Sequence, residues 1–126
     1  MTGITLLFRQ VHPSFVQAGR VTSQAFRPTP KDRSLLSVYD GDQISAEKSW
    51  THFTNQNNCT SAGVLAVTVD ECAAEALPAR SDPEPFPEHV IIDFTGFSEN
   101  QIEKKSKKLK AKAEARGWQY LPPSAS

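Results

Sequence analysis

Arginine, histidine and hydroxyl side chains gather in the first third of the chain, on both sides of a loop that contains Pro28 and Pro30. If the segments flanking this loop are neighbouring strands, Ser37 and the other polar side chains meet at one sheet end. Guanidinium groups bind carboxylates and phosphates in a two-pronged geometry, and hydroxyls can add hydrogen bonds. The sequence therefore predicts a site for a small anionic or nucleotide-like ligand, with these candidate residues: Arg9, His12, Arg20, Ser23, Arg27, Tyr39 and Asp42.

The alternative role for these arginines is structural. They could pair with Asp32, Asp40 and Asp42 and so organise the loops without binding anything. Ion pairs of this kind are common at protein surfaces and contribute little individually. The residue types alone leave both roles open.

Recognisable catalytic motifs do not occur in the sequence. No G-x-S-x-G elbow marks a nucleophilic serine, and there is no Walker loop or dinucleotide fingerprint. His12, His52 and His89 show no metal-ligand spacing with one another or with either cysteine. We therefore expect no metal, no cofactor and no catalytic residue. The alternative is a small enzyme acting on a nucleotide-like substrate, with Arg9 as phosphate anchor and His12 or His89 as general base.

The carboxy-terminal segment carries the clearest charge asymmetry. Between residues 98 and 116, six lysines and one arginine stand against three glutamates, a surplus of four positive charges in a chain of zero net charge. A helix here could bind nucleic-acid phosphates or an acidic partner, or its lysines could simply be solvated. The nucleic-acid-binding candidates are Lys104, Lys105, Lys107, Lys108, Lys110 and Lys112.

Hydrophobic patterning predicts the elements that must position these side chains. Strands are expected over five segments: 4–11, 20–26, 35–40, 62–69 and 89–94. The nearly all-apolar run 62–69 is expected to be a central strand that is buried on both faces. Helices are expected over 46–56, 70–77 and 99–116. Ser45, Thr68 and Ser98 fit helix N-caps, and the last two have capping-box spacing to Glu71 and Gln101.

Early strands in succession, followed by β/α alternation, are typical of an α+β fold. The predicted architecture is a mixed, mainly antiparallel sheet of about five strands that is packed with two or three helices. A length of 126 residues favours one domain, expected over 1–121, with a flexible tail over 122–126.

Neither a membrane span nor a secretory signal is expected. No apolar run approaches the roughly 20 residues that a bilayer requires. The start of the chain lacks a basic region, and its apolar run is too short for a signal sequence. A soluble cytoplasmic protein is therefore expected, with its two cysteines reduced.

Three segments resemble a family of short bacterial proteins of uncharacterised function: FRQVHPSFVQAGRVTSQAFRPTPKDRSLLSVYDGD, GVLAVTVDEC and DPEPFPEHVIIDF. The resemblance extends from residue 8 to about residue 94 and implies a stand-alone bacterial cytoplasmic protein, but it transfers no catalytic residue. A strand-borne arginine followed by serines and a tyrosine on later strands is also loosely similar to the NAD site of ADP-ribosyltransferases. This chain departs from that type in its short length and in having no glutamate in an identifiable catalytic motif.

The first functional hypothesis is a non-enzymatic binding module that uses the amino-terminal polar residues. Its partner would be a protein or another macromolecule, or a small anionic ligand. The alternatives are the small enzyme and a protein that binds nucleic acid through its basic helix, which is possible but not favoured. No membrane partner is expected.

Overall fold

An antiparallel sheet of five strands organises the computed structural model, which describes residues 1–29 and 33–123. In chain order the strands are β1 (Leu6–Val11), β2 (Val16–Gln17), β3 (Arg20–Val21), β4 (Leu35–Asp40), β5 (Gly63–Thr68), β6 (Ala79–Ser81) and β7 (His89–Asp93). The sheet order is β5-β1-β4-β7-β6, and β2 and β3 form a separate hairpin. Every pairing among these strands is antiparallel, and the α+β prediction is confirmed.

The described residues also form three α-helices: α1 (Ala46–Thr54), α2 (Val69–Ala74) and α3 (Glu99–Arg116). Ser45 caps α1, and both predicted capping boxes, at Thr68 and at Ser98, are formed. The three N-caps are confirmed because a cap depends on side chains only three residues apart. Within the described ranges, no helix combines the length and the apolar character needed to cross a membrane.

The sheet buries both faces because alternate side chains of a strand point to opposite sides. On one face Leu7, Leu36 and Ile92 belong to the main core, where α3 contributes Leu109 and Ala113. On the other face a smaller cluster surrounds Phe8, Tyr39, Val64 and Ala66. Trp50 and Phe53 of α1 pack against this second cluster, as their spacing of three residues predicts.

The predicted central position of the strand within 62–69 is wrong. β5 is an edge strand, although its residues from Gly63 to Val67 are buried as predicted. The chain after α3 returns along its outer edge, where Val64 N–H donates to the Tyr120 carbonyl at 2.9 Å and the Val64 carbonyl accepts from Gln119 N–H at 2.8 Å. Apolar content thus reports burial by helices and by the returning chain, not position within the sheet.

The predicted strand 20–26 is also wrong beyond Val21. Residues Ser23–Phe26 form a 3₁₀ turn that packs against α3. A strand would point the adjacent Ala25 and Phe26 in opposite directions, whereas the turn lets both enter the main core. Conversely, the short edge strand β6 lies between the predicted helix 70–77 and the predicted strand 89–94, where no regular element is predicted. Asp32 and residues 124–126 of the predicted tail lie outside the described residues.

Cys59 and Cys72 are both free thiols. Cys72 is fully buried in the main core, where burial, and secondarily the charge of Glu71, raises its pKa to about 12. This thiol therefore stays protonated and packs as a small apolar side chain.

Ser106 interrupts the apolar stripe of α3 and is fully buried. Among the described residues, its hydroxyl is the buried side-chain polar atom that has no hydrogen-bond partner. Burying an unsatisfied hydroxyl costs about 1–3 kcal/mol, and alanine favours helix more than serine does. We expect Ser106→Ala to raise the free energy of unfolding by about 1 kcal/mol, measured by urea denaturation. The control Ser98→Ala removes the N-cap of α3 and should lower the free energy of unfolding by about 1 kcal/mol. A loss of stability in Ser106→Ala would contradict the prediction.

Candidate functional site

The strands β1 and β4 are paired only at one end. Leu7 pairs with Asp40 and Phe8 pairs with Tyr39, and from Arg9 onward β1 is paired with β5 alone. Arg9 is the first residue of β1 beyond the end of the β1–β4 pairing. Its Nη1 donates to the Ser37 carbonyl at 3.0 Å, and its Nε donates to the Ala25 carbonyl at 2.7 Å. The interrupted ladder therefore places a guanidinium group directly beside Ser37.

A cavity of about 290 Å³ opens at this interruption. Arg9, Ser37 and His89 contribute to its polar lining, and Tyr39, Phe53 and Phe86 contribute an aromatic wall. Strands β1, β4 and β7 supply four of these residues, α1 supplies Phe53, and the loop between β6 and β7 supplies Phe86. The cavity thus combines one cationic group with apolar ring surfaces.

Ser37, His89 and Asp82 form a connected series of hydrogen bonds at the cavity wall. The Ser37 hydroxyl lies 3.0 Å from His89 Nε2, and the Asp82 backbone carbonyl lies 2.9 Å from His89 Nδ1. A carboxylate oxygen of Asp82 is also 3.4 Å from Nδ1. Because a carbonyl can only accept, the contact at Nδ1 requires a proton on that nitrogen, and in the tautomer that has its proton there Nε2 can accept from the serine hydroxyl.

The strand register explains why these three residues meet. Ser37 lies opposite Ile91 and Tyr39 lies opposite His89, so Ser37 and His89 are diagonal neighbours on one face of the sheet. Such diagonal pairs are within reach of long side chains. Asp82 directly follows β6, and its backbone N–H donates to the His89 carbonyl at 2.9 Å, which extends the β6–β7 ladder. The adjacent strands β4, β7 and β6 therefore position the serine, the histidine and the aspartate.

The aromatic wall is held by its own hydrogen bond and ring contacts. Tyr39 Oη lies 2.8 Å from His52 Nδ1, and the Phe86 ring stacks on Tyr39 at 4.9 Å between centroids. Phe86 also contacts His89 edge-on at 5.0 Å. Burial, followed by the nearby charges of Cys59 and Glu88, raises the pKa of Tyr39 far above its ordinary value. Tyr39 therefore stays a neutral phenol that shares a hydrogen bond with His52.

Of the seven candidate ligand-binding residues, Arg9 and Tyr39 line this cavity. Arg20 instead pairs with Glu114 of α3 at 3.4 Å, and Arg27 pairs with Glu99 at 3.8 Å. Ser23 begins the 3₁₀ turn that packs against α3. The hairpin and this turn thus carry three of the predicted residues toward α3 and away from Tyr39.

His12 and Asp42 make local contacts outside the cavity. His12 Nδ1 accepts from the backbone N–H of Ser14 at 3.0 Å and lies 2.7 Å from the Ser14 hydroxyl, so it caps a 3₁₀ turn. An Asp42 carboxylate oxygen accepts from the Thr5 hydroxyl at 2.6 Å. The seven predicted residues therefore do not meet at one end of the sheet.

The lysines of α3 are interleaved with acceptors. Lys107, Lys108 and Lys110 form ion pairs with glutamates, and Lys105 donates to the Glu75 carbonyl and lies over the Phe97 ring. Lys104 and Lys112 are exposed. Part of the positive charge is therefore matched within the protein, and nucleic-acid binding stays a prediction.

Sequence reasoning did not predict the connection between Ser37, His89 and Asp82. From the sequence, Ser37 is one hydroxyl of the polar cluster, and His89 is an isolated candidate general base. No local motif joins them because Ser37 lies on β4, His89 lies on β7, and Asp82 directly follows β6. The available signals were the alternation that puts Ser37 and Tyr39 on one face, and a histidine that opens an apolar strand. Among described side chains, no three or more His, Cys, Asp or Glu are grouped so that they could hold a metal ion.

Comparisons with known proteins match this chain to no family model, no curated protein and no solved structure. The resemblance to short bacterial proteins and the looser similarity to ADP-ribosyltransferase sites both stay predictions. The function proposed for this chain therefore depends on the chemistry of its cavity.

Proposed function

We propose that the protein binds a small anionic ligand that carries an aromatic ring, in the cavity between β1 and β4. The observation that carries this proposal is that Arg9, whose guanidinium reaches the Ser37 carbonyl, lines one cavity together with Tyr39, Phe53 and Phe86. Arginine matches a carboxylate in fork geometry, and aromatic walls offer apolar surface to a ring. The volume of about 290 Å³ is at the lower end of ligand pockets, which suits a ligand of one ring.

The position of Arg9 also favours binding. Two backbone carbonyls, those of Ala25 and Ser37, hold its Nε and Nη1. Ordering a long side chain on binding costs about 0.5–1.5 kcal/mol, and a guanidinium that is already held avoids most of this cost. The proposal also includes the bacterial source and cytoplasmic location that the sequence leads us to expect.

Calorimetric titration with benzoate at low salt tests the proposal. We expect Arg9→Met to weaken benzoate binding at least tenfold, because a hydrogen bond to a charged group contributes about 1.5–3 kcal/mol. The matched control is Arg27→Met, which removes an arginine that pairs with Glu99 outside this cavity and should bind as the wild type does. Circular dichroism confirms that each variant is folded.

Benzamide separates recognition of charge from recognition of the ring, since it has the same ring and no negative charge. We expect it to bind at least tenfold more weakly than benzoate. If Arg9→Met does not fold, Arg9→Lys keeps the charge but loses the fork geometry, and it should still bind more weakly than the wild type. Equal binding of benzoate and benzamide, or equal losses in the Arg9 and Arg27 variants, would overturn the proposal.

A further inference from the structure

We infer that Ser37, His89 and Asp82 hydrolyse small esters of aromatic carboxylic acids in this same cavity. Ser37 is the nucleophile, His89 is the general base, and Asp82 is a positioning residue. The inference rests on the proposed function for its substrate class, since the anionic ligand is then the acid product of the reaction.

The geometry meets the requirements of nucleophilic catalysis. A general base must lie within about 2.6–3.2 Å of the atom whose proton it takes, and the Ser37 hydroxyl is 3.0 Å from His89 Nε2. A third group must orient the base, and Asp82 holds the opposite nitrogen through its carbonyl at 2.9 Å, with its carboxylate at 3.4 Å. Both contacts fit the tautomer that this role requires, with the proton on Nδ1.

Exposure separates the roles of the two reacting residues. His89 is 7% exposed and meets the Phe86 ring edge-on, whereas Ser37 is exposed and lines the cavity. A base shielded from water next to an accessible hydroxyl suits an attack on a bound substrate. A purely structural serine–histidine pair has no need for the serine to face a cavity.

Arg9 supplies the electrophilic group. Its Nη1 donates to the backbone carbonyl of Ser37, so its positive charge lies next to the backbone of the residue that carries the nucleophile. Charge that develops on a substrate oxygen during attack is stabilised by a cationic group already in position. The arginine that would bind the product carboxylate would thereby also stabilise the preceding oxyanion.

The reaction balances with water as the only co-reactant. Ser37 Oγ attacks the ester carbonyl carbon, its proton passes to His89 Nε2, and the carbonyl electron pair moves to oxygen. The oxyanion collapses, the C–O bond to the alcohol breaks, and His89 gives its proton to the departing alcohol. Water then attacks the acyl group on Ser37 by the same route, which releases the acid and restores the serine. Asp82 stabilises the imidazolium that forms in both steps.

The protein contains a second serine–histidine contact that serves as an internal comparison. The Ser14 hydroxyl lies 2.7 Å from His12 Nδ1, but His12 is exposed and the same nitrogen accepts the Ser14 backbone N–H. This pair caps a turn outside the cavity. Proximity of the two residue types alone therefore does not distinguish a nucleophile, whereas orientation by Asp82 and access to the cavity do.

Covalent labelling of the wild-type protein tests the inference without depending on the folding of a variant. Diisopropyl fluorophosphate reacts when a serine oxygen attacks phosphorus and fluoride leaves. We expect intact-mass spectrometry and peptide mapping to show one adduct, on Ser37. We expect His89→Gln to be labelled at least about 100-fold more slowly, and Ser14→Ala to be labelled at the wild-type rate. If His89→Gln does not fold, Asp82→Asn should also slow labelling, because the imidazolium that forms loses the nearby carboxylate, while the backbone carbonyl that orients the ring is kept.

Hydrolysis of p-nitrophenyl benzoate gives the second readout. The wild type should release nitrophenolate, and Ser37→Ala should not do so above the buffer rate. No adduct on Ser37, or adducts spread over several serines, would overturn the inference. If the wild type binds benzoate but is not labelled at Ser37, the proposed function stands and the hydrolysis inference fails. Labelling at Ser37 without benzoate binding would instead remove the proposed anionic ligand and its ester class, and leave the nucleophile.

Discussion

Replacing Phe26 with alanine is expected to lower the free energy of unfolding by about 3–5 kcal/mol. Phe26 is fully buried in the main core and ends the 3₁₀ turn that packs against α3. The substitution removes an aromatic ring and leaves a cavity that a packed interior closes only in part. Because the total stability of a domain is about 5–15 kcal/mol, this is a large share of it. Urea denaturation followed by circular dichroism measures the loss.

Phe15→Ala is the matched control for this prediction. Phe15 is the same residue type and packs against the same core, but it is only partly buried. We therefore expect less than half of the loss seen for Phe26, in proportion to the apolar area removed from water. Equal losses for the two phenylalanines, or a loss below about 1 kcal/mol for Phe26→Ala, would contradict the central position of this turn in the core.

Glu71→Gln is expected to lower the free energy of unfolding by about 2 kcal/mol at pH 7. Both oxygens of Glu71 accept from Arg116, each at 2.9 Å, in fork geometry. Glu71 also accepts from the backbone N–H of Thr68, and Arg116 also donates to the Ala66 carbonyl. This network joins the start of α2, the end of α3 and the edge strand β5. Glutamine keeps the shape of the side chain and an acceptor for Thr68, but it loses the charge and the fork.

The same substitution should lose its effect at low pH. Burial raises the pKa of Glu71, but the hydrogen bonds from Arg116 and Thr68, together with the charges of Arg116 and Lys112, outweigh it and lower the pKa below the ordinary 4.5. A carboxyl whose pKa is lowered by folding stabilises fully above its unfolded value and loses that contribution as the pH falls through its folded value. Urea denaturation at pH 7 and at pH 3 should therefore show a smaller difference between variant and wild type at pH 3.

Glu103→Gln is the control for the ion pair. Glu103 lies 3.7 Å from Lys107 within α3, and both side chains are largely exposed. Exposed pairs of this kind contribute about 0.3–0.5 kcal/mol, so its substitution should have little effect at either pH. A loss for Glu71→Gln that is the same at pH 7 and pH 3 would show that the charge of Glu71 is not what stabilises the network.

The elements that sequence reasoning predicted correctly depend on residues close together along the chain. Ser45, Thr68 and Ser98 cap their helices through partners three residues away. Strand β4 and the apolar stripe of α3 follow from periodicity within one segment. The strand prediction for 20–26 was wrong beyond Val21 because the alternation in this segment is weak. Packing against α3 instead favours a 3₁₀ turn that buries Phe26, and this packing is not visible in the local sequence.

The order of the strands in the sheet could not be predicted from local sequence patterns either. The all-apolar run of β5 is typical of a central strand, yet β5 is an edge strand whose backbone is covered by the chain near Tyr120. The apolar residues of a strand indicate how much of it is buried, whereas the helix or chain segment that covers it can come from any distance along the sequence. Burial was therefore predictable, and position was not.

The candidate site shows the same division. Local sequence predicts a polar region around the early strands that includes Arg9 and Tyr39, and a strand that begins at His89. The contact between Ser37, His89 and Asp82 depends on long-range pairing, because the β4–β7 and β6–β7 registers bring together residues up to 52 positions apart. It also decided that Arg20 and Arg27 pair with α3 rather than join Arg9. Residue types set the chemistry that is possible, and strand register, which is a long-range property, selects the groups that can carry it out.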